Sequence, residues 1–191
     1  SIRKYKSMQH NCMVPLKEYQ LKEITQSVIQ KVINNASTEL SPKSVRDMNG
    51  LISAVMKRFR PGIVINITLP KKLRSNIYIP TEEDIKKIVR ASEETIMEVP
   101  ILLAAFGAMR RGEICALQKS DIKNHTIHVT KTMVMNDEGE WIVKAPKSYA
   151  GDRYVNYPSF VIEKFLKLPT DTVDMNPNTL TTLFGNLLKK L

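Results

Sequence analysis

The chain contains no apolar run that approaches the ~20 residues needed to cross a bilayer, which argues against a membrane-spanning helix. Its 191 residues include only two cysteines, Cys12 and Cys115, which are too few and too far apart for a disulfide framework. We expect both to be reduced thiols, with a metal site or a disulfide as the alternative. No carboxylates are clustered at the spacing that two metal ions require, so we expect no metal and no other cofactor. The opening decapeptide, SIRKYKSMQH, lacks the apolar segment of a secretory signal, and we expect a cytoplasmic protein.

Acidic residues are also scarce relative to basic ones. The chain carries 29 Lys and Arg against 19 Asp and Glu, a formal net charge of +10. Such an excess indicates a polyanionic partner, either a nucleic acid or an anionic membrane surface. Because the basic residues are spread over many elements and are not collected on one amphipathic helix, a nucleic acid is favoured and no membrane partner is expected.

The first part of the chain reads as helical throughout. Thr25 and Ser41 are typical N-caps, and each precedes apolar residues at helical spacing. A run with prolines at both ends, IVINITLPKKLRSNIYIP, follows and carries four bases in KKLR. This composition predicts a helical domain over residues 1–70 and a linker over residues 71–80.

A second domain is predicted over residues 81–191, with Thr81 as the N-cap of its first helix and Pro100 opening an apolar helix. Three strand candidates come later, and helices resume after them. The strand candidates are HTIHVTKT, EWIVKA and DRYVNYP, with the turn Asn136-Asp137-Glu138-Gly139 between the first two. The sequence therefore predicts an all-α domain followed by an α+β domain.

The stretch AFGAMRRGEICAL places Arg110 and Arg111 directly after the apolar helix. Since an unpaired guanidinium is costly to bury, arginines beside a core need an anionic partner. The partner is either Glu113 or an anion from outside, and the local sequence does not decide between them. A guanidinium held at such a junction matches a phosphate bidentately. Lys147, between two strand candidates, can act as a general acid; a solvated turn lysine is the alternative.

Taken together, the box R-R-G-E after an apolar helix and the later box P-K-S-Y-A-G-D-R resemble the catalytic domain of the tyrosine site-specific recombinases, in particular integrases of phages and integrative conjugative elements. The upstream helix LSPKSVRDMNGLISAV resembles the core-binding domain of that family. The resemblance implies a small SAM-like helical domain followed by an α+β catalytic domain with a three-stranded antiparallel sheet. It also implies that Arg110 is the first catalytic arginine, that Lys147 is the catalytic lysine, and that Glu113 is the buried acid supporting the arginine.

The sequence departs from the family pattern in one respect. The family requires a His-x-x-Arg box and a nucleophilic tyrosine downstream of a helix like the last one here, and none of the three histidines precedes an arginine by three residues. The six tyrosines do not match the nucleophile by position: Tyr5, Tyr19, Tyr78, Tyr149, Tyr154 and Tyr157. We therefore expect a truncated chain whose catalytic domain is incomplete, and which binds DNA without cutting it.

The resemblance implies an enzyme that cuts and rejoins DNA through a 3′-phosphotyrosyl intermediate to integrate or excise a mobile element. Its implied partners are double-stranded DNA, three further copies in a homotetramer on paired sites, and directionality or host DNA-bending factors; without DNA we expect a monomer. Basic residues and one serine are the predicted DNA contacts: Lys43, Ser44, Arg46, Lys71, Lys72, Arg74 and Arg153. The competing interpretations are a non-catalytic DNA-binding protein on the same scaffold and a metal-dependent nuclease, whose cleavage EDTA would abolish.

Overall fold

The computed structural model of the chain describes residues 2–72, 77–146 and 151–191. The chain divides into two compact units, residues 1–77 and residues 78–191. The division falls within the segment predicted as a linker, residues 71–80. None of the helices in the described ranges is both long and apolar enough to span a bilayer.

In its described residues, the first unit has three α-helices and two short 3-10 helices. The α-helices are α1 (Ile2–Asn11), α2 (Gln26–Glu39) and α3 (Pro42–Phe59), and the 3-10 helices are Val14–Glu18 and Leu21–Glu23. The two predicted N-caps are confirmed: Thr25 Oγ1 accepts a hydrogen bond from Val28 N at 3.4 Å, and Ser41 Oγ accepts one from Ser44 N at 3.3 Å. The buried apolar faces of these elements form one core: Ile24, Ile29, Val32, Ile33, Val45, Met48, Ile52 and Met56.

An extended segment, residues 63–69, completes the first unit. Its alternate residues are apolar and pack against the core: Ile63, Ile65, Ile67 and Leu69. The side-chain amide of Gln30 on α2 pairs with the backbone of Thr68 in both directions, accepting from its N–H at 2.8 Å and donating to its carbonyl at 3.0 Å. The Gln30 amide makes the two backbone hydrogen bonds that a neighbouring strand would otherwise make to Thr68. The segment is therefore fixed to α2 although its described residues belong to no sheet.

Over residues 78–146 and 151–191, the second unit combines five α-helices with five short strands. The helices are α4 (Glu82–Ser92), α5 (Glu98–Gly107), α6 (Arg111–Ala116), α7 (Ser159–Leu166) and α8 (Pro177–Leu188). Thr81 caps α4 as predicted, because its hydroxyl accepts from Asp84 N while the Asp84 carboxylate accepts from Thr81 N. Helix α5 begins at Glu98, two residues before the predicted start. Pro100 is accommodated because a first-turn residue needs no N–H donor.

The strands form two small antiparallel sheets. They are β1 (Ile122–Lys123), β2 (Thr126–Val129), β3 (Thr132–Met135), β4 (Trp141–Lys144) and β5 (Arg153–Asn156). One sheet has the order β1-β2-β5, and the other is the β3-β4 hairpin. The predicted strand HTIHVTKT is therefore two strands, and the turn at Asn136–Gly139 joins β3 to β4. The chain leaves the first sheet after Val129, and the ammonium of Lys131, two residues later, lies 2.9 Å from Asp121 Oδ1 and also contacts Gln118.

The core of the second unit lies between the helices and the inner face of the three-stranded sheet. Its buried apolar residues come from most of its elements: Val99, Leu102, Leu103, Met109, Ile114, Leu117, Ile127, Val129, Tyr157, Val161, Ile162, Phe165 and Val173. Tyr157 donates its hydroxyl to Leu103 O at 2.8 Å across this core. Gly107 leaves room for that ring, since a Cβ at residue 107 would stand 1.8 Å from the Tyr157 hydroxyl.

Candidate functional site

The junction between α5 and α6 fixes the backbone of Arg110. Ala108 ends α5 in the left-handed conformation, with φ of 49°, and turns the chain sharply. Met109 is 5% exposed and anchors the turn in the core. Arg110 is then the N-cap of α6, where its carbonyl accepts from the N–H groups of Glu113 and Ile114. The arginine thus extends from a backbone held on both sides by packed helices.

Glu113, in the first turn of α6, is the centre of the site. Its carboxylate, with the side chain 6% exposed, accepts four hydrogen bonds. Arg110 supplies two of them, from its backbone N to Oε2 at 2.9 Å and from Nη1 to Oε1 at 2.8 Å. Arg153 on β5 supplies the other two, from Nη1 to Oε1 at 3.1 Å and from Nη2 to Oε2 at 2.8 Å. We call Arg110, Glu113 and Arg153 the arginine–glutamate triad.

The triad keeps Glu113 ionised although it is buried. Burial alone would raise the pKa of Glu113, but the hydrogen bonds from Arg153 and then from Arg110 outweigh it and lower the pKa from 4.5 to about 2. The pKa of Arg153 is raised in turn, chiefly by its hydrogen bonds to Glu113. At neutral pH the triad therefore holds two positive charges and one negative charge.

The two adjacent arginines point to different partners. The Arg110 side chain remains 72% exposed, and only Nη1 of its guanidinium is bound to Glu113. Arg111 donates from Nη1 to the hydroxyl of Thr181 on α8 at 2.8 Å. The sequence left two partners open for Arg110, Glu113 and an anion from outside. Arg110 can bind both at once, because Glu113 binds one guanidinium nitrogen and the rest of the guanidinium faces solvent.

Lys147 and Arg74, two of the predicted site residues, lie outside the described residues, and their roles stay predictions. The residues on either side of the 147–150 segment lie close together, since a Cβ on Gly151 would stand 2.4 Å from Pro146 Cβ. The Gly151 carbonyl also accepts from Arg153 Nη1 at 3.4 Å. The two residues that flank this segment are therefore anchored beside the triad.

In the first unit, several of the predicted DNA contacts lie near one another. Arg46 donates from Nη2 to Pro70 O at 2.8 Å, and Pro70 directly precedes the exposed Lys71 and Lys72. Lys43 is exposed and lies one turn before Arg46 on the same face of α3. We call Lys43, Arg46, Lys71 and Lys72 the basic cluster. Ser44 is half-buried, and its backbone N–H is taken up by the cap at Ser41.

The tyrosines of the second unit are already engaged where the structure describes them. Tyr157 is buried, and burial raises its pKa. Tyr154 stacks on His128 with ring centroids 4.1 Å apart, and His128 Nε2 lies 2.8 Å from Asp152 Oδ1. The Tyr78 hydroxyl donates to Asp84 Oδ2 at 2.5 Å. Tyr149 lies outside the described residues.

Both cysteines are free thiols, with Cys12 half-buried and Cys115 buried in α6. Burial raises the pKa of Cys115 to about 11. In the ranges the structure covers, no three His, Cys, Asp or Glu side chains are grouped so that they could hold a metal ion.

Sequence reasoning placed Arg153 among the DNA contacts and missed its pairing with Glu113. Little in the sequence indicates this pairing, because Arg153 is a basic residue at the start of a strand candidate and lies forty residues from Glu113. Only the tertiary fold brings the side chain of Arg153 on β5 to Glu113 on α6.

Nearly the whole chain resembles solved structures of tyrosine recombinases. The Tn1549 transposon integrase bound to transposon right-end DNA matches with a TM-score of 0.73 at 14% identity, over 98% of this chain and 76% of that one. The same integrase bound to a circular intermediate DNA matches with a TM-score of 0.70 at 15% identity, over 98% and 76%. A lambda integrase tetramer bound to a Holliday junction matches with a TM-score of 0.64 at 18% identity, over 98% of this chain and 56% of that one. The chain therefore has the tyrosine-recombinase fold, mostly helical with small antiparallel sheets. No protein-family model and no curated protein sequence matches it.

Proposed function

We propose that the chain is part of a site-specific DNA recombinase, an integrase that binds duplex DNA and cuts and rejoins its strands through a 3′-phosphotyrosyl intermediate. The observation that carries the proposal is the arginine–glutamate triad: a rigidly mounted, 72% exposed guanidinium bound through one nitrogen, within a fold shared with DNA-bound integrases. The net charge of +10 and the basic cluster of the first unit support a DNA partner.

In the proposed reaction a tyrosine oxygen attacks the scissile phosphorus, forming a P–O bond to tyrosine while the bond to the 5′ oxygen breaks. Arg110 stabilises the extra negative charge that develops on the nonbridging oxygens. Lys147 protonates the departing 5′ oxygen. The phosphotyrosyl bond conserves the energy of the broken phosphodiester, so that attack by a 5′ hydroxyl reverses the step without ATP. Loss of one charge-stabilising donor typically costs ~3 kcal/mol, about a hundredfold in rate.

The 191 residues contain no His-x-x-Arg box, and no tyrosine matches the nucleophile by position. We propose that these residues bind DNA and hold the phosphate but do not cut. On a suicide half-site they should form no covalent adduct; an adduct would show that one of the six tyrosines is the nucleophile after all. The second candidate is a non-catalytic DNA-binding protein on this scaffold, which the net charge of +10 and the basic cluster fit equally well. A reading frame that continues with His-x-x-Arg and a tyrosine supports the enzyme, and one that does not supports the second candidate.

By analogy with the lambda integrase tetramer on a Holliday junction, we propose that the active assembly is a homotetramer on paired sites in the cytoplasm. Directionality or host DNA-bending factors complete the proposed partner set. On DNA the first unit supplies affinity through the basic cluster, and Arg110 supplies the contact at the reacting phosphate.

The salt dependence of DNA binding tests the role of Arg110. We expect Arg110→Gln to weaken binding to a duplex and to reduce the slope of log K against log salt by about 0.9, the loss of one phosphate contact. Arg90→Gln, an exposed arginine of α4, is the matched control because it lowers the net charge equally. If the two variants bind alike at every salt concentration, Arg110 does not contact a phosphate.

A further inference from the structure

The Glu113 carboxylate is saturated by its two arginines. Each oxygen accepts one hydrogen bond from Arg110 and one from Arg153, at 2.8 to 3.1 Å. A carboxylate offers about four acceptor positions, and all four are taken. Glu113 therefore has no capacity left to bind a further donor.

The two arginines share this carboxylate unequally. Arg153 binds as a fork, with Nη1 and Nη2 on the two oxygens, and its side chain is 27% exposed. Arg110 uses one guanidinium N–H, and a guanidinium has five. In the part of the chain that the structure describes, no other group accepts from Arg110, so its remaining donors face solvent.

The net positive charge of the triad also depends on Arg153. Arg110 and Glu113 alone would form a neutral pair, and a neutral pair attracts an anion weakly. Without Arg153, two acceptor positions of Glu113 would also be open. Because a carboxylate and a guanidinium favour the two-bond fork, Arg110 would turn toward Glu113 and away from solvent.

We propose that Arg153 is a positioning residue that saturates and neutralises Glu113, so that Arg110 keeps a net positive charge and free donors for an outside anion. This inference rests on the proposed function, in which the anion is a DNA phosphate. It is an alternative to the expectation that Arg153 contacts DNA itself, which stays a prediction: Nη1 and Nη2 each donate one hydrogen bond to Glu113.

The experiment follows the side-chain N–H resonance of Arg110 in the 191-residue chain while inorganic phosphate is added as the probe. Arg153→Gln should weaken phosphate binding roughly tenfold, since one unit charge is lost a few ångströms away. Glu113→Gln combined with Arg153→Gln should restore binding to within about threefold of wild type, because the carboxylate that neutralises Arg110 is removed as well. Arg90→Gln, the charge-matched control, should leave binding unchanged.

Two results would overturn the proposal. Unchanged binding in Arg153→Gln would show that Arg110 does not depend on Arg153. A double variant as weak as Arg153→Gln would show that Arg153 touches the anion directly. If Arg153→Gln fails to fold, Arg153→Lys decides. It keeps the unit charge but cannot form the two-bond fork, so binding should weaken by less than about tenfold, and a loss of about tenfold or more contradicts the charge argument.

The proposed function can fail independently. If Arg110 binds phosphate as described but the chain does not bind duplex DNA, the recombinase proposal is wrong and the role of Arg153 stands. If the chain binds duplex DNA through Arg110 and Arg153→Gln has no effect on phosphate binding, only the role of Arg153 is wrong.

Discussion

Replacing Glu113 with glutamine should destabilise the second unit by about 3 kcal/mol. The structure lowers the pKa of Glu113 from 4.5 to about 2, a difference of roughly 2.5 pKa units at about 1.4 kcal/mol each. That free energy is the preference of the site for the charged carboxylate over a neutral group of the same shape. Glutamine also turns an N–H₂ group toward two arginines that can only donate.

Urea unfolding followed by tryptophan fluorescence measures this loss. Trp141 is the only tryptophan in the chain and lies on β4, so its signal reports on the second unit. Glu163→Gln on α7 is the matched control, because Glu163 is exposed. The control should stay within about 0.5 kcal/mol of wild type.

The pH dependence checks the cause of the loss. A carboxyl whose pKa is lowered on folding contributes stability that is fully present above its unfolded pKa and is lost as the pH falls through the folded value. The gap between wild type and Glu113→Gln should therefore be constant at neutral pH and shrink as the pH falls from 4.5 toward about 2. A gap below about 0.5 kcal/mol at pH 7, or one that does not shrink in acid, would refute the electrostatic account of the triad.

Three further predictions concern packing and reactivity in the second unit. Gly112→Ala should destabilise it by roughly 2 kcal/mol in the same urea assay, because the new Cβ would stand 2.6 Å from Thr132 Oγ1 and 2.7 Å from Met133 O; Gly185→Ala on α8 meets no atom within 4 Å and should be neutral or stabilising. Tyr157→Phe should lower the free energy of unfolding by about 1 kcal/mol, since the Leu103 carbonyl loses its donor. With a thiol reagent at neutral pH, Cys12 should react first and Cys115 only on unfolding, because Cys115 is buried with a pKa of about 11; equal rates would contradict its burial.

The local features of the fold could be predicted from the sequence because neighbouring residues determine them. The caps at Thr25, Ser41 and Thr81 are confirmed, since each depends on a hydroxyl and an N–H three residues away. The tyrosine-recombinase fold was also predicted, from two short boxes in the right order, and is confirmed by the likeness to solved integrases.

The features that were missed depend on contacts between distant residues. The break between β2 and β3 includes Lys131, which is bound to Asp121, ten residues earlier in the chain. The fork from Arg153 to Glu113 spans forty residues and joins β5 to α6, two elements that lie far apart in the chain. Neither contact can be predicted from the spacing of residues in the sequence. The sequence therefore predicted the candidate site as Arg110 with Glu113, without Arg153.

A crystal structure of the chain bound to duplex DNA tests the central claim most directly, through the distance from the Arg110 guanidinium to the nearest phosphate oxygen. We predict a charge-assisted hydrogen bond of about 2.7–2.9 Å, with Nη1 of Arg110 still on Glu113. DNA bound on another face, with the Arg110 guanidinium left in solvent, would contradict the account.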